Sequence, residues 1–136
     1  MRAYIDTNVL IDYVCQRGEF AECANYLMAY GCMGVVKLQT SALSYVTTMY
    51  VAHKYDYYNV KKTLLAISEF VEVLDLKSRT VLEMLSSDWK DYEDATQDHT
   101  AIMAGSDCII TRNVKDFKDS ILPVYTVEEF LKIFRK

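Results

Sequence analysis

The sequence predicts an α/β fold in which helices cover both faces of a central, mostly parallel sheet of 4–5 strands. Two observations support this class. Short apolar segments alternate along the chain with longer segments whose apolar residues recur at helical spacing. Four Gly residues and one Pro in 136 positions argue against a loop-rich or low-complexity protein. A chain of this length is typical of one domain, so we expect residues 1–136 to form a single domain.

The predicted elements follow one another in a regular order. They are a strand at residues 2–5, a helix that ends at Gly18, a helix at 19–30, a strand at 35–40, a helix that ends at an aromatic-rich break over 55–58, a helix at 60–68, a strand at 70–76, helices at 77–87 and 92–104, strands at 108–111 and 123–125, and a last helix from Thr126. Because helices join successive strands, this order predicts a parallel sheet between two helical layers.

Capping residues mark the helix starts in the first half of the chain. Asp6, Thr7 and Asn8 can each cap the first helix. Ser41 or Ser44 can cap the helix that follows the second strand. Apolar residues three or four positions apart then predict that each of these helices packs one face against the sheet.

Other local signals place the elements of the second half. Gly105 suits the position after the helix at 92–104, because glycine accepts a left-handed backbone conformation. Residues 108–111 form a continuous apolar run, which is typical of a buried strand. Thr126 and Glu129 have the spacing of a capping box, which predicts the start of the last helix.

The composition favours a cytoplasmic protein with no overall attraction to nucleic acid. The formal net charge is −4, so any basic contact surface must come from local patches. No apolar run approaches the roughly 20 residues that span a bilayer. Asp6 and Asp12 near the N-terminus argue against a signal peptide.

Acidic residues stand at predicted junctions between strands and helices in two distant parts of the chain. Asp6 directly follows the first strand, whereas Asp91 and Asp94 lie at the start of the helix at 92–104. The carboxyl ends of parallel strands meet at one edge of a sheet, where ligands bind. Carboxylates that converge there repel one another, and a bound divalent cation is the usual reason for such a cluster. The sequence therefore suggests a site for a divalent cation.

Each of these acids also has a purely structural interpretation. Asp6 is a good N-cap residue for the helix that follows it. Asp91, Asp94 and Asp98 share one helix face, which could be solvated, and early acids favour the helix dipole. This interpretation suits Asp91 better than Asp94, because apolar residues such as Ala95 indicate that the helix is buried there.

Polar residues also end the apolar strand at 108–111. Thr111, Arg112 and Asn113 can form a simple turn. Alternatively, they provide oxygen ligands and hydrogen-bond donors at the edge of the sheet, and Asp116 is close enough in sequence to join them.

Together these motifs resemble those of PIN domains, the nuclease fold of many bacterial toxins of the VapC type. The matching pieces are Ile5-Asp6-Thr7-Asn8-Val9-Leu10, Ser41-Ala42-Leu43-Ser44, Asp91-x-x-Asp94-Ala95, and Ile110-Thr111-Arg112-Asn113 with Asp116-Phe117. Their order and spacing agree over essentially the whole chain. The resemblance implies a three-layer α/β/α fold and an endoribonuclease that depends on Mg²⁺ or Mn²⁺.

The resemblance also implies roles for single residues and for partners. Asp6, Asp94 and Asp116 are the implied catalytic and metal-binding acids. Supporting polar side chains are expected at Thr7, Asn8, Ser44, Thr47, Asp91, Thr111 and Asn113, and RNA contacts at Arg112 and Lys115. The expected partners are an RNA substrate and a cognate antitoxin protein.

Aromatic residues are concentrated in the helices over residues 43–67. The group consists of Tyr45, Tyr50, Tyr55, Tyr57 and Tyr58. Such residues can stack nucleic-acid bases, but they pack subunit interfaces more often. We therefore expect a homodimer that packs through these helices.

One position departs from the family pattern. Active family members usually carry Glu three residues beyond the position that Ser44 matches, and this chain has Thr47 there. A Thr hydroxyl is a poorer ligand than a carboxylate for a hard cation. Asp91 is the candidate to compensate if its side chain turns inward. The rival hypothesis is a degenerate PIN fold that binds RNA or a partner protein without cleavage.

Overall fold

The computed structural model describes residues 1–134, apart from the side chain of Tyr55, and contains a five-stranded sheet. The strands are β1 Arg2–Ile5, β2 Lys37–Ser41, β3 Val71–Leu74, β4 Cys108–Thr111 and β5 Val124–Thr126. Their order across the sheet is β3-β2-β1-β4-β5, and every neighbouring pair is parallel. The predicted three-layer α/β/α class with a parallel sheet is thus confirmed.

Six α-helices and one 3₁₀ turn connect these strands in the described part of the chain. They are α1 Thr7–Cys15, α2 Phe20–Cys32, α3 Ala42–Ile67, α4 Ser78–Ser86, α5 Tyr92–Met103, α6 Val127–Phe134 and the 3₁₀ turn Val114–Phe117. The 3₁₀ turn was not predicted. The first helix ends at Gln16, which adopts the left-handed conformation (φ 50°), and not at Gly18 as expected.

The two helices predicted on either side of residues 55–58 form one kinked helix, α3. Only Asp56 has a non-helical backbone, with φ −164° and ψ 89°. Its carboxylate accepts hydrogen bonds from the backbone N–H and the side-chain amide of Asn59, at 3.3 and 2.6 Å. Asp56 therefore caps the second half of the helix from within, which explains why the break is one residue long.

Two other predicted caps, at the starts of α3 and α6, form their hydrogen bonds. The Ser41 hydroxyl accepts a hydrogen bond from the Leu43 N–H at 3.0 Å. Thr126 and Glu129 exchange two hydrogen bonds of 2.9 and 3.1 Å, which confirms the capping box. Gly105 has a φ of 73° and follows α5 closely, as predicted.

The central strands are buried on both faces of the sheet. In β1, Ala3 and Ile5 join the larger hydrophobic core, whereas Tyr4 joins a smaller core on the other face with Ile109. This alternation follows from the strand geometry, in which successive side chains point to opposite faces. β1 and β4 pair in register, with Ile5 opposite Ile110. The residues that follow these two strands are therefore neighbours at the carboxyl edge. None of the helices in the described residues is long and apolar enough to cross a membrane.

Candidate functional site

Asp6 lies at the carboxyl end of β1, where the chain enters α1. Its backbone N–H continues the sheet by donating to the Ile110 carbonyl at 2.9 Å. Although Asp6 is at the N-cap position, its side chain makes no capping hydrogen bond. The residue is 2% exposed, and its two carboxylate oxygens accept from Gln97 Nε2 at 2.7 Å and Thr111 Oγ1 at 2.9 Å. The carboxylate is thus held in a fixed orientation by residues distant in sequence.

Gln97 on α5 makes most of the hydrogen bonds around Asp6, and sequence analysis did not identify it. Its amide nitrogen donates to Asp6, which as a carboxylate can only accept. Its Oε1 atom accepts from the Thr7 N–H and Thr7 hydroxyl, each at 3.0 Å, and from the Tyr4 hydroxyl at 3.1 Å. The one available signal was its position three residues after Asp94, on the same helix face.

Asp94, on the first turn of α5, lies close to the other acids of the predicted site. Burial raises the pKa of Asp94 to about 7, and the negative charges of Asp6, Asp91, Asp116 and Glu93 contribute in the same direction. Burial likewise raises the pKa of Asp6, while hydrogen bonds from Gln97 and Thr111 oppose that shift. Asp94 therefore lies within electrostatic range of both Asp6 and Asp116.

The three acids predicted to share a face of α5 have different environments. Asp91 accepts a hydrogen bond from the Asp94 N–H at 2.9 Å and so caps α5. The charge of Asp91 also raises the pKa of Asp94, so the capping carboxylate remains within electrostatic range of the predicted site. Asp98 is 3% exposed, so the solvated-face interpretation is wrong for Asp98.

Glu93 is a second residue of this region that sequence analysis did not identify. It is half-buried on the first turn of α5. Burial raises the pKa of Glu93, the charges of Asp6 and Asp91 add to this effect, and hydrogen bonding to the hydroxyls of Thr7 and Thr47 opposes it. The Glu93 carboxyl group is therefore partly withdrawn from solvent and lies within electrostatic range of Asp6.

The other predicted supporting residues fall into two groups. The side chains of Thr7 and Ser44 lie inside the site, with their hydroxyl oxygens 2.7 Å apart, and both residues are buried. Asn113 caps the 3₁₀ turn by accepting from the Lys115 N–H at 3.2 Å, and its amide donates to Asp116 at 3.4 Å. By contrast, the side chain of Asn8 is exposed and points away from these groups.

Arg112 does not have the environment expected of a free RNA-binding cation. Its guanidinium forms two hydrogen bonds with the carboxylate of Asp12, which is 3% exposed, and it stacks 4.0 Å from the centre of the Phe20 ring. Arg17 donates to the same carboxylate at 2.8 Å. Because its charge is already paired, Arg112 anchors the end of β4, and Lys115 remains as the exposed cation of the predicted pair.

The chemistry of these side chains fits a hard divalent cation. The acids at the sheet edge offer only oxygen donors, and their raised pKa values reflect burial and repulsion that a cation would relieve. Within residues 1–134, no three or more His, Cys, Asp or Glu side chains are arranged as a metal site.

Without metal, we expect the free energy of unfolding to fall between about pH 4 and pH 8. The folded state keeps a proton on Asp94 up to about pH 7, whereas the unfolded chain releases it near 3.8. The stabilisation is thus fully present below the unfolded pKa and is lost as the pH rises through the folded pKa. Because Asp94 is half-exposed, solvent screens its interactions, and we expect the free energy of unfolding to fall by about 1–2 kcal/mol.

The Asp94→Asn variant should lose the part of this pH dependence that Asp94 contributes, and it should be more stable than the wild type at about pH 8. Urea denaturation in EDTA at about pH 5 and about pH 8 measures the free energy of unfolding of both proteins and its change with pH. An unchanged difference between the two pH values in the variant would contradict the assignment to Asp94.

Comparisons with known proteins agree with this architecture. A family model for the PIN domain matches residues 2–115. No curated protein sequence matches the chain. Among solved structures, the chain is similar to a toxin–antitoxin complex from Klebsiella pneumoniae, with 27% identity and a TM-score of 0.66 over 92% of this chain and 97% of that chain.

Two further structures share the fold at lower identity. VapBC-1 from nontypeable Haemophilus influenzae is 19% identical, with a TM-score of 0.69 over 94% of this chain and 99% of that chain. The Sarcin-Ricin loop cleaving toxin VapC20 from Mycobacterium tuberculosis is 16% identical, with a TM-score of 0.64 over 79% and 86% of the two chains. With a family model that covers residues 2–115 and a fold shared with VapC toxins, the chain belongs to the PIN domain family.

Proposed function

We propose that this protein is an endoribonuclease that depends on Mg²⁺ or Mn²⁺ and is the toxin of a toxin–antitoxin pair. The observation that supports this most strongly is the buried carboxylate of Asp6 at the carboxyl edge of the sheet, which Gln97 and Thr111 hold in place. In a parallel sheet, side chains that follow several strands meet at the carboxyl edge, where they can bind one ligand together. Residues 1–136 are proposed to act as one such domain in the cytoplasm.

In this proposal Asp6, Asp94 and Asp116 hold the cation. The chemistry that the cation supplies when bound is Lewis-acid activation of water and of the phosphodiester. Gln97 and Thr111 orient both oxygens of Asp6, so that this ligand needs no rearrangement when the cation binds. Because burial raises the pKa of Asp94 to about 7, Asp94 would hold a cation more tightly as the pH rises above 7.

RNA would enter along a cleft beside α5 and the 3₁₀ turn. The cleft has a volume of about 350 Å³, and its lining includes Asp94, Asp116 and Lys115. Lys115 is exposed and can pair with a phosphate of the RNA backbone. With a net charge of −4, the protein depends on such local contacts to bind RNA.

A metal-dependent cleavage assay tests the proposed function. The purified protein, freed of any bound antitoxin, is incubated with single-stranded RNA in EDTA, in Mg²⁺ and in Mn²⁺. We expect cleavage only in the presence of a divalent cation. Thr47 favours a second candidate, a PIN fold that binds RNA or a partner without cleaving it. RNA binding without cleavage under all three conditions would support that candidate instead.

The proposed protein partner is an antitoxin. The Klebsiella pneumoniae structure, at 27% identity, is described as a toxin–antitoxin complex. Co-expression of this chain with its cognate antitoxin should give a stable complex in which RNA cleavage is suppressed. A chain that cleaves RNA equally well in that complex would argue against inhibition by the partner.

We also propose that α3 mediates a homodimer. Five large apolar side chains on this helix are exposed: Val46 at 66%, Tyr50 at 77%, Tyr57 at 56%, Tyr58 at 73% and Leu65 at 73%. The side chain of Tyr55, part of the predicted aromatic group, lies outside the described residues. Sedimentation velocity at tens of micromolar should show a dimer, and Leu65→Arg should shift it towards monomer. A monomeric wild type would contradict the prediction.

A further inference from the structure

We infer that Trp89 stacks on a base of the bound RNA, so that the cleft beside α5 selects single-stranded RNA. This inference rests on the proposed function, because Trp89 lines the same cleft as Asp94 and Asp116. It adds a substrate-binding residue to the site and names the form of RNA that the site accepts.

The first argument is the place of Trp89 in the cleft. Trp89 is the only tryptophan of the chain and lies in the connection between α4 and α5. The cleft that it lines has a volume of about 350 Å³. Pockets that hold small organic ligands have volumes of roughly 300–1,000 Å³, so one nucleobase can enter. A base in contact with Trp89 therefore occupies the same cleft as the acids proposed to hold the cation.

The second argument is the charge of the cleft. Its nine lining residues in the described part of the chain are five aspartates, three lysines and Trp89, so Trp89 alone among them carries no charge. Because carboxylates outnumber ammonium groups, the charge of the cleft does not by itself attract a polyanion. The exposed lysines Lys90, Lys115 and Lys118 can each pair with a phosphate, and an aromatic ring can hold a base. Basic and aromatic side chains occur together in this way at sites for single-stranded nucleic acid.

The third argument is that Trp89 is already held in position. Its ring makes an edge-to-face contact with Phe117, which is 1% exposed, with the ring centroids 6.0 Å apart. Its backbone N–H donates to the Ser87 hydroxyl at 3.4 Å, and that hydroxyl donates to the Met84 carbonyl at the end of α4 at 2.8 Å. The residue is nevertheless half-buried, so part of its surface is open to a ligand. A ring that is fixed before binding loses little conformational entropy when a base stacks on it.

These contacts also allow a purely structural role, in which Trp89 only covers the smaller core. The two roles differ in their response to RNA that lacks bases. An abasic RNA keeps the phosphates for the lysines but offers nothing to stack on Trp89. In a duplex the bases are stacked on one another, so a duplex offers no free base face either.

The test compares a short single-stranded RNA with an abasic strand of the same length. The wild type should bind the ordinary strand at least about fivefold more tightly, which is the lower end of the contribution of one base stacked on an aromatic ring. Trp89→Leu keeps an apolar side chain beside Phe117 but has no aromatic face, so it should lose this preference and bind the abasic strand like the wild type. Tyr92→Ala is the matched control, because Tyr92 is 72% exposed and lies outside the cleft lining.

Fluorescence anisotropy of labelled strands measures the affinities in EDTA, which prevents metal-dependent cleavage, and circular dichroism verifies that each variant is folded. Trp89 also provides a direct signal, because it is the only tryptophan. Its emission in the wild type should change with the ordinary strand and not with the abasic strand. This measurement needs no substitution, so it decides the question even if Trp89→Leu does not fold. A duplex of the ordinary RNA should bind more weakly than the single strand.

Equal affinity of the wild type for the ordinary and abasic strands would overturn the inference, and the proposed function would stand if the wild type still cleaves RNA. A preference that persists in Trp89→Leu, or equal responses of the Trp89 emission to the two strands, would show that no base stacks on Trp89. A duplex that binds as tightly as the single strand would overturn the selection of single-stranded RNA. A wild type that binds neither strand would overturn the inference, and the proposed function as well if cleavage is also absent.

Discussion

Asp6→Asn should lower metal-dependent RNA cleavage by at least about a hundredfold and leave the fold unchanged. The Asn side chain can still accept from Gln97 through its oxygen, and its amide can donate to the hydroxyl of Thr111, which then acts as the acceptor. The substitution therefore removes the negative charge and keeps the hydrogen bonds. Because burial raises the pKa of Asp6, the neutral variant should be at least as stable as the wild type in metal-free buffer.

The combination of lost cleavage and retained stability separates a role in the site from a role in folding. Single-turnover cleavage with Mg²⁺ gives the first quantity, and urea denaturation gives the second. Asp107→Asn is a suitable control, because Asp107 binds the Arg2 N–H at 2.8 Å near the amino ends of β1 and β4, away from the site. An Asp6→Asn protein that cuts RNA at the wild-type rate would show that Asp6 is a structural residue only.

Asp12→Ala should destabilise the protein by about 2–3 kcal/mol, the largest loss of stability that we expect from one substitution in this region. Asp12 is 3% exposed and pairs with both Arg17 and Arg112. The variant leaves both guanidinium groups without their partner. They are about one-third exposed and can partly rehydrate, so the cost should fall below that of a fully buried unpaired charge.

The exposed pair between Arg79 and Glu83 provides the comparison for Asp12. It spans one turn of α4, and both side chains are solvated, so Glu83→Ala should change the free energy of unfolding by less than about 0.5 kcal/mol. Urea denaturation of the two variants measures the difference. Equal effects at Asp12 and Glu83 would mean that the buried network does not stabilise the end of β4.

Much of the fold could be predicted from the sequence, because its signals are local. The apolar run of β4 and the capping box at Thr126 depend only on neighbouring residues, and both are present as predicted. The break predicted within residues 55–58 is present as a kink at Asp56. Its position could not be predicted to the residue, because it depends on the capping hydrogen bonds that the Asp56 carboxylate accepts from Asn59.

The acids could be located from the sequence, but their partners could not. Asp6 and Asp94 stand out because they lie at strand and helix ends. Gln97, Glu93 and Asp12 have ordinary positions on helices, and their environments arise only when α5 and α3 meet over the end of β1 or when β4 passes α1. Helical periodicity shows which residues share a face, but it does not show which other element that face contacts.

The parallel pairing of β1 with β4 has a consequence for the protein during its synthesis. Ile5 pairs with Ile110, and the two hydrogen bonds to the Asp6 carboxylate come from Gln97 and Thr111. A nascent chain cannot form these contacts until most of its length has left the ribosome. The growing polypeptide therefore carries Asp6 without its orienting partners, and a nuclease of this design would stay inert towards surrounding RNA until translation of β4 is finished.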